Sequence, residues 1–396
     1  MKKENQSESG EKGRVIGLDL HPDLLSAAAL EGLDAATARV VEQWDRLETS
    51  QLEKWAKGLR VQDVVVLEAS GNSFEAARCL QQLGLKVLIL ESQQASKVRT
   101  NYCNNDRVSA VKLARVYLSG LAKIVWQPDA RTRERRELLH AHRKSVTTAT
   151  RTKNRLKAFL NEHRVRLKPG TRLTQPSGAK AVLTSYAWSP LQTLLLEEML
   201  NELQAAEERR KRLSAMMAQE VASDPQLLAL MRLMGVRHII AFAIAAVVGE
   251  ISRFANPKKL VAYIGLAPNV DKSGNRERGY EGLIGFGRGD LRALLIQSAQ
   301  NALNQKKSPL HRWGWKLCLR KTNKNIAVAA IARKLTVSIW YLLRGLFAPL
   351  EQIDDTLRVK LVKLATAIGI KTIKDLGYPS KTAFIQEKNA WLLKPT

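Results

Sequence analysis

Three acidic residues of this chain each accompany an apolar run. Asp19 lies within the run 15–20, Glu68 closes the run 64–68, and Asp106 precedes an apolar pattern of helical spacing. A carboxylate within an apolar strand is costly unless a partner compensates its charge. Three acids on three elements could share a divalent metal ion, and such sites use Mg²⁺ to cut or join phosphodiesters.

The elements that must position these acids follow an α/β pattern between residue 14 and about residue 125. Short apolar runs predict strands, and helical periodicity predicts helices. The predicted strands are 14–20, 25–30, 62–68 and 86–90, and the predicted helices are 35–58, 73–83 and 106–121. Ligands of such sheets gather at the carboxyl ends of the strands, where Asp19 and Glu68 are expected to lie.

The composition indicates a polyanionic partner. The 396 residues include 64 Lys and Arg against 37 Asp and Glu, a net charge of +27. Counterion release makes nucleic acid the favoured partner of such a chain, with an anionic membrane surface as the alternative. No uninterrupted apolar run approaches the roughly 20 residues of a membrane span, so we expect no membrane partner.

The cysteines argue against zinc and against a disulfide framework. Cys79, Cys103 and Cys318 are widely spaced and form no CxxC pair. Such usage is typical of a cytosolic protein, and we expect a cytoplasmic location.

A long basic helix is predicted from 131 to about 162. Its first 27 residues hold ten cations against two glutamates: Arg131, Arg133, Arg135, Arg136, Arg143, Lys144, Arg151, Lys153, Arg155 and Lys157. This one-sided charge favours a phosphate-tracking face, and the alternative is an ordinary solvated helix face. A second long helix, 190–222, could fold back on the first as a coiled-coil hairpin that carries dimer contacts or serves as a spacer.

The chain length and these patterns predict several domains. We expect a disordered tail at 1–13, an α/β catalytic domain at 14–130 and a basic helical linker region at 131–225. A mainly helical domain at 226–345 and a helical extension at 346–396 follow. The helical domain contains a glycine-rich basic loop, 272–288, with the cations Lys272, Arg276, Arg278 and Arg288.

Two groups of segments resemble a known family. The first comprises 17–19, 67–71 and 105–110, and the second comprises 253–254 and 260–268, continuing to Ser273 and Gly274. They are similar to the RuvC-like domain and the C-terminal transposase domain of the DEDD transposases of the insertion sequence 110 type, relatives of the Piv-type invertases. The resemblance covers roughly residues 14–345.

The resemblance implies a fold and a reaction. It implies a RuvC-like (RNase H-like) N-terminal domain whose acids bind Mg²⁺, and a serine that attacks DNA and forms a phosphoserine intermediate. It also implies a bridge RNA that guides the enzyme by pairing with double-stranded target and donor DNA, so that base pairing reads the sequence. The family further suggests dimers that pair into a tetramer on DNA.

Carried over by position, the resemblance assigns roles to individual residues. Asp19, Glu68 and Asp106 would be metal ligands, and Ser273 would be the nucleophile. Lys272, Arg276 and Arg278 could stabilise the charge of the attacked phosphate. The alternative for Ser273 is a turn residue, because Ser-Gly-Asn is ordinary turn chemistry.

Ser109 stands where the family usually has a fourth acid. A neutral hydroxyl is a weaker ligand for a hard cation than a carboxylate. Either three acids suffice, with Ser109 holding a metal-bound water, or the metal site is weakened.

Two other functions compete with the recombinase. One is a metal-dependent nuclease or Holliday-junction resolvase that hydrolyses DNA at the acids alone. The other is an inactive nucleic-acid-binding derivative of a transposase, in which Ser109 marks decay.

Overall fold

The computed structural model describes residues 13–91, 106–269, 272–273, 276–277, 282–306, 308–321, 323–346 and 356–394. The chain divides into two units, Met1–Gln127 and Pro128–Thr396. This division lies three residues before the boundary that we predicted at 130. Nearly all of the predicted N-terminal tail falls outside the described residues.

The first unit is built on a mixed five-stranded sheet. Its strands are β1 (Val15–Leu20), β2 (Leu24–Glu31), β3 (Arg39–Glu48), β4 (Val64–Glu68) and β5 (Lys86–Leu90), and its helices are α1 (Leu52–Ala56), α2 (Ser73–Gln82) and α3 (Asp106–Leu118). The strand order is β3-β2-β1-β4-β5. The β1–β2 and β2–β3 pairs are antiparallel, whereas β1–β4 and β4–β5 are parallel. This mixed α/β arrangement is consistent with a RuvC-like fold.

The pleat of the strands divides their side chains between two cores. Ile16, Leu18, Val65 and Leu67 pack on the face that also buries residues of α1 and α2. The alternate residues of the same strands face α3, where Val15 and Val66 pack against Ala110 and Leu113. Successive side chains of a strand point to opposite faces, so both faces of β1 and β4 are buried.

The helix predicted at 35–58 is wrong, because residues 39–48 form the edge strand β3. Trp44 and Leu47 are three residues apart, which is a helical spacing. The structure explains this spacing by a bulge, since the register shifts between the β2 residues that pair with Trp44 and Leu47. Arg46 takes a positive φ of 53° at this point. The extra residue lets Trp44 and Leu47 both face the core.

The second unit is mainly helical, with one two-stranded hairpin. Its helices are α4 (Ala130–Glu162), α5 (Pro176–Leu183), α6 (Pro190–Ser223), α7 (Pro225–Leu230), α8 (His238–Val248), α9 (Pro257–Ile264), α10 (Gly289–Asn304), α11 (Pro309–Lys321), α12 (Lys324–Leu343), α13 (Leu357–Ile368), α14 (Ile370–Asp375) and α15 (Lys381–Leu393). The hairpin strands are β6 (Lys272–Ser273) and β7 (Arg276–Glu277). The short helix α5 lies between the long helices α4 and α6 in the chain.

The long helices α4 and α6 pack side by side in opposite directions. Near one end, Arg135 Nη2 lies 2.9 Å from Asp224 Oδ2. Further along, Lys153 Nζ lies 3.2 Å from Glu207 Oε1. Near the other end, Leu156 and Leu160 are buried with Leu196 and Leu200. Asp129 caps α4 by accepting from the Thr132 N–H at 2.8 Å, and Ser189 forms a capping box at α6. The predicted helical hairpin is therefore present.

The core of the second unit gathers apolar residues from 139 to 392. Helix α8 is almost fully buried. Helix α12 is the one described helix that is long and apolar enough to cross a membrane by length and composition. Its residues Ile331, Leu335 and Ile339 are buried in this core, as expected for the central helix of a packed bundle.

The C-terminal helices complete the same core. Leu361, Leu364, Phe384 and Leu392 are buried in it. The buried Lys360 Nζ donates to the carbonyl oxygens of Met231 at 2.8 Å and Leu233 at 2.6 Å. The residues that we predicted as a separate extension are thus an integral part of the second unit.

Two buried histidines make the stability of the second unit depend on pH. His142 on α4 and His238 on α8 are each more than nine-tenths buried. Burial lowers the pKa of His238 to about 4, and the positive charges of Arg237 and His142 add to this effect. Burial also lowers the pKa of His142, next to Arg210. The groups facing His238 include Ser214, whose Oγ lies 3.4 Å from Nε2.

We therefore expect the second unit to lose stability in mild acid. A folded-state pKa below the unfolded value of about 6.5 means that the unfolded chain binds more protons, so stability is present above pH 6.5 and falls as the pH approaches 4. For His238 alone the loss is roughly 2 kcal/mol at about pH 5. Urea unfolding at neutral and mildly acidic pH measures it. In His238→Gln the free energy of unfolding should depend less on pH than in wild type, whereas in His140→Gln, which replaces an exposed histidine, the dependence should be unchanged. An equal pH dependence of both variants would contradict the role of His238.

Candidate active site and its basic surroundings

The carboxylates of Asp19 and Glu68 lie on neighbouring strands at the same edge of the sheet. Strands β1 and β4 run parallel, with Leu18 opposite Leu67, so the two acids follow at equivalent positions. Asp19 shares the strand face of Val15 and Gly17, and Glu68 shares that of Val64 and Val66. Both acids therefore belong to the face of the sheet that is covered by α3.

The contact between β1 and α3 is unusually close. A Cβ added to Gly17 would lie 1.9 Å from the carbonyl oxygen of Ala110 and 2.9 Å from the amide nitrogen of Ala114. Only a residue without a side chain allows this approach. The backbone of Asp106 lies one helical turn before Ala110, at the start of α3; its side chain is outside the described residues.

Ser109 lies in the first turn of α3 and is partly buried. It precedes the buried Leu113 by four residues, so the two positions share a helix face. The structure thus places Ser109 near the start of the same helix as Asp106.

The surroundings of Asp19 combine a histidine with a second polar network. His21 Nε2 lies 3.9 Å from Asp19 Oδ2. Ser26 on β2 pairs with Asp19 in the strand register, and its Oγ donates to Asp45 Oδ1 at 3.1 Å. Among the described side chains, no group of three or more His, Cys, Asp or Glu is placed to hold one metal ion. Our sequence reasoning missed Asp45 because we had assigned it to a helix.

Ser273 is the second residue of strand β6 in the β6–β7 hairpin. It pairs with Arg276 of β7. The side chains of Lys272, Ser273 and Arg276 are outside the described residues, as is all of Arg278.

The base of this hairpin is held by backbone contacts. Pro268 forms a bridge with Leu283, and the Asn269 N–H donates to the Gly282 carbonyl at 2.9 Å. A side chain of α10 adds to these backbone contacts: Arg292 Nη1 donates to the carbonyls of Gly265 at 3.2 Å and Ile284 at 3.1 Å. The chain on both sides of the Ser273 loop is thereby fixed to the N-terminal part of α10.

A cluster of arginines surrounds Tyr263 beside this base. The Arg253 guanidinium stacks 4.4 Å from the centre of the Tyr263 ring, and the Arg288 N–H donates to the Tyr263 carbonyl at 3.0 Å. Burial raises the pKa of Tyr263, but the hydrogen bond and charge of Arg253 and the charges of Arg288 and Arg136 outweigh it and lower the pKa. Arg253 and Tyr263 belong to the segments that carry the family resemblance, but we predicted no role for either residue, since their partners are distant in sequence.

The cations of α4 differ in how far acids compensate them. Arg131 and Arg135 face Glu220 and Asp224, and Lys153 faces Glu207. Arg155 pairs with Glu202. Arg136 donates instead to the carbonyl oxygens of Ala246 at 2.9 Å and Val247 at 3.2 Å.

A few α4 cations remain directed to solvent. Lys144, Arg151 and Lys157 are exposed, and the ion pairs found among the described residues do not involve them. Arg133 is partly buried. The role of these ten cations in nucleic-acid binding remains a prediction, with Lys144, Arg151 and Lys157 the most available to a phosphate backbone.

Comparison with known proteins shows that the chain is similar to transposases. Residues 228–313, which include the Ser273 hairpin and Tyr263, match the family described as "Transposase IS116/IS110/IS902 family". The chain is 26% identical over 346 residues to the "Transposase for insertion sequence element IS1111A" of Coxiella burnetii, covering 83% of this chain and 89% of that protein. It is 25% identical over 338 residues to a "Probable family 20 transposase" of Pseudomonas aeruginosa, covering 83% and 96%.

Proposed function

This chain is an IS110-type transposase, and we propose that it cuts and rejoins DNA through a covalent bond to Ser273. The observation that carries this proposal is the position of Ser273 in the β6–β7 hairpin, where it pairs with Arg276, within the matched segment 228–313.

The proposed reaction conserves the number of phosphodiester bonds. The Ser273 Oγ attacks a DNA phosphorus; an Oγ–P bond forms, one P–O bond to a sugar breaks, the serine releases its proton, and the freed sugar hydroxyl takes one up. Attack by a sugar hydroxyl on the phosphoserine reverses these changes and joins a new strand end. Rejoining therefore needs no external energy source.

The acids of the first unit suit Mg²⁺. Asp19 and Glu68 offer oxygen donors from one sheet edge and one sheet face, which is the donor chemistry that this ion prefers. Together with Asp106, and with Ser109 through a water, they would hold it. When bound, the ion would supply positive charge to the phosphate and to the departing oxygen. We assign Asp19, Glu68 and Asp106 to this role.

The proposed partners are nucleic acids and further copies of the chain. The net charge of +27 and the exposed cations of α4 suit a DNA backbone at the element junction and target, and a structured guide RNA. Strand exchange needs more than one active site, so we propose a dimer that assembles into a tetramer on DNA.

Trapping the covalent intermediate tests the proposed function. Wild-type protein incubated with a labelled junction duplex and Mg²⁺ should yield a DNA adduct that survives denaturation and maps to Ser273 by mass spectrometry. Ser273→Ala should remove the adduct, whereas Ser252→Ala, an exposed serine outside the hairpin, should keep it. Cleavage by Ser273→Ala at the wild-type rate would identify a hydrolytic nuclease, and no cleavage by any form would identify an inactive derivative.

We expect Ser109→Asp to strengthen the metal site. A fourth carboxylate one turn beyond the start of α3 would add a charged oxygen donor, and groups that support a metal site are worth roughly 10- to 100-fold in affinity or activity. The Mg²⁺ concentration for half-maximal cleavage should fall by roughly tenfold. Ser109→Asn, which adds bulk without charge, is the control. An unchanged or increased Mg²⁺ requirement in Ser109→Asp would show that three acids are the working set.

A further inference from the structure

A small basic cavity lies within the second unit, between α4 and the start of α10. Its volume is about 200 Å³, and it is lined by Arg136, Leu139, His140, Arg143, Arg288 and Asp290. Three guanidinium groups thus converge on one space beside a single carboxylate.

The Asp290 carboxylate already pairs with one of the three guanidinium groups. Asp290 accepts from Arg288 at 3.1 and 2.7 Å in a two-pronged contact. Arg143 Nη1 lies 3.6 Å from the same carboxylate, which is too long for a hydrogen bond. One negative charge cannot neutralise three guanidinium groups, so the cavity is electropositive.

Arg136 is held at the cavity by neutral acceptors. The carbonyl oxygens of Ala246 and Val247, at the end of α8, accept its N–H groups. Burial lowers the pKa of Arg136, the interaction with Tyr263 opposes this effect, and repulsion from Arg288 and Arg253 acts in the same direction as burial. The protein thus keeps like charges close together, an arrangement that an incoming anion would stabilise.

The cavity is also coupled to the hairpin that carries Ser273. Arg288 follows the returning side of this hairpin, and its backbone N–H donates to the carbonyl of Tyr263 at 3.0 Å. Tyr263 belongs to α9, which leads into the outgoing side. A group bound by Arg288 would therefore be held beside the base of the Ser273 loop.

A phosphate has the charge and shape that this site requires. Guanidinium groups bind phosphate oxygens in two-pronged geometry. The mouth of the cavity is open to solvent, since 52% of the Arg143 side chain is exposed. The sugars on either side of a bound phosphate could thus remain outside.

We propose that this cavity binds one backbone phosphate of the DNA strand that Ser273 attacks, and thereby positions that strand. The proposal rests on the proposed function and adds a second, non-reacting phosphate contact to it. Arg143 is the guanidinium least engaged within the cavity, because its contact with Asp290 is long, whereas Arg136 and Arg288 are held by hydrogen bonds.

Neutral phosphate analogues test the proposal in the full-length chain. A duplex carrying a single methylphosphonate, moved one position at a time, should bind wild-type protein about tenfold more weakly at one position. Arg143→Ala should bind unmodified DNA about tenfold more weakly, and the slope of log affinity against log salt concentration should fall by about one. Its binding should no longer respond to the methylphosphonate at that one position. Arg209→Ala removes an exposed cation of α6 and should keep the sensitivity.

The outcomes separate this proposal from the proposed function. If Arg143→Ala keeps the full methylphosphonate effect at every position, the phosphate contact is wrong, even if Ser273 still forms its adduct. If wild-type protein forms no adduct but the Arg143-dependent position is found, the cavity binds phosphate and the covalent mechanism fails. Circular dichroism and unfolding curves should show that Arg143→Ala is folded, as expected for an exposed side chain.

Discussion

Replacing Asp19 with asparagine should lower DNA cleavage by on the order of 10³-fold. The substitution preserves the shape of the side chain but removes the negative charge that would hold a divalent cation. Groups that only orient a metal ligand are worth roughly 10- to 100-fold, so loss of a ligand should cost more. Cleavage of a labelled duplex at saturating Mg²⁺ measures the rate, and thermal unfolding should show little change.

Asp23→Asn provides the matched control for Asp19→Asn. Asp23 lies in the turn between β1 and β2 and is exposed, and it is close in sequence to Asp19. We expect cleavage by Asp23→Asn within a factor of about two of wild type, because surface substitutions outside a site have small effects. Equal losses in both variants, or wild-type cleavage by Asp19→Asn, would remove Asp19 from the metal site.

Replacing Gly17 with alanine should destabilise the first unit by at least roughly 3 kcal/mol. The new methyl group would meet the Ala110 carbonyl at 1.9 Å, and a helix backbone cannot yield as a flexible side chain can. Helix α3 must move away from β1, which opens the core around Leu113 and displaces Asp106 and Ser109. Denaturant unfolding should show the lower stability, and cleavage should fall with it.

Gly71→Ala controls for the general effect of replacing glycine. A Cβ at Gly71 has nothing within 4 Å, so the change should be neutral or stabilise slightly by restricting the unfolded chain. A Gly17→Ala protein as stable as Gly71→Ala would show that α3 packs less closely than described.

Local sequence patterns predicted the part of the site that depends on single elements. The apolar runs around Asp19 and Glu68 indicated β1 and β4, and their parallel pairing brings both acids to one edge. The same reasoning failed at β3, because the bulge at Arg46 gives Trp44 and Leu47 a helical spacing. Because β3 was not predicted, Asp45 and its hydrogen bond with Ser26 were not predicted either.

The arginine cluster could not be predicted from local patterns. Arg136, Arg253, Tyr263 and Arg288 come from four separate segments, and tertiary packing alone brings them together. Counting the charges on α4 could not show that Arg135 is paired with Asp224 while Arg143 faces a cavity. Ser273 was predicted as the nucleophile through its surrounding motif, and the structure adds that it pairs with Arg276 in a short hairpin.

The burial of Phe384 and Leu392 beside α8 and α13 has a consequence for synthesis. The first unit, described at residues 13–91 and 106–127, precedes the second unit in the chain. It can therefore leave the ribosome and fold first, because domains fold as units during translation. The second unit cannot close its core until residues 384–392 have emerged. Ribosome stalling between residues 300 and 390 would therefore leave a nascent chain that has a finished sheet and an open helical core.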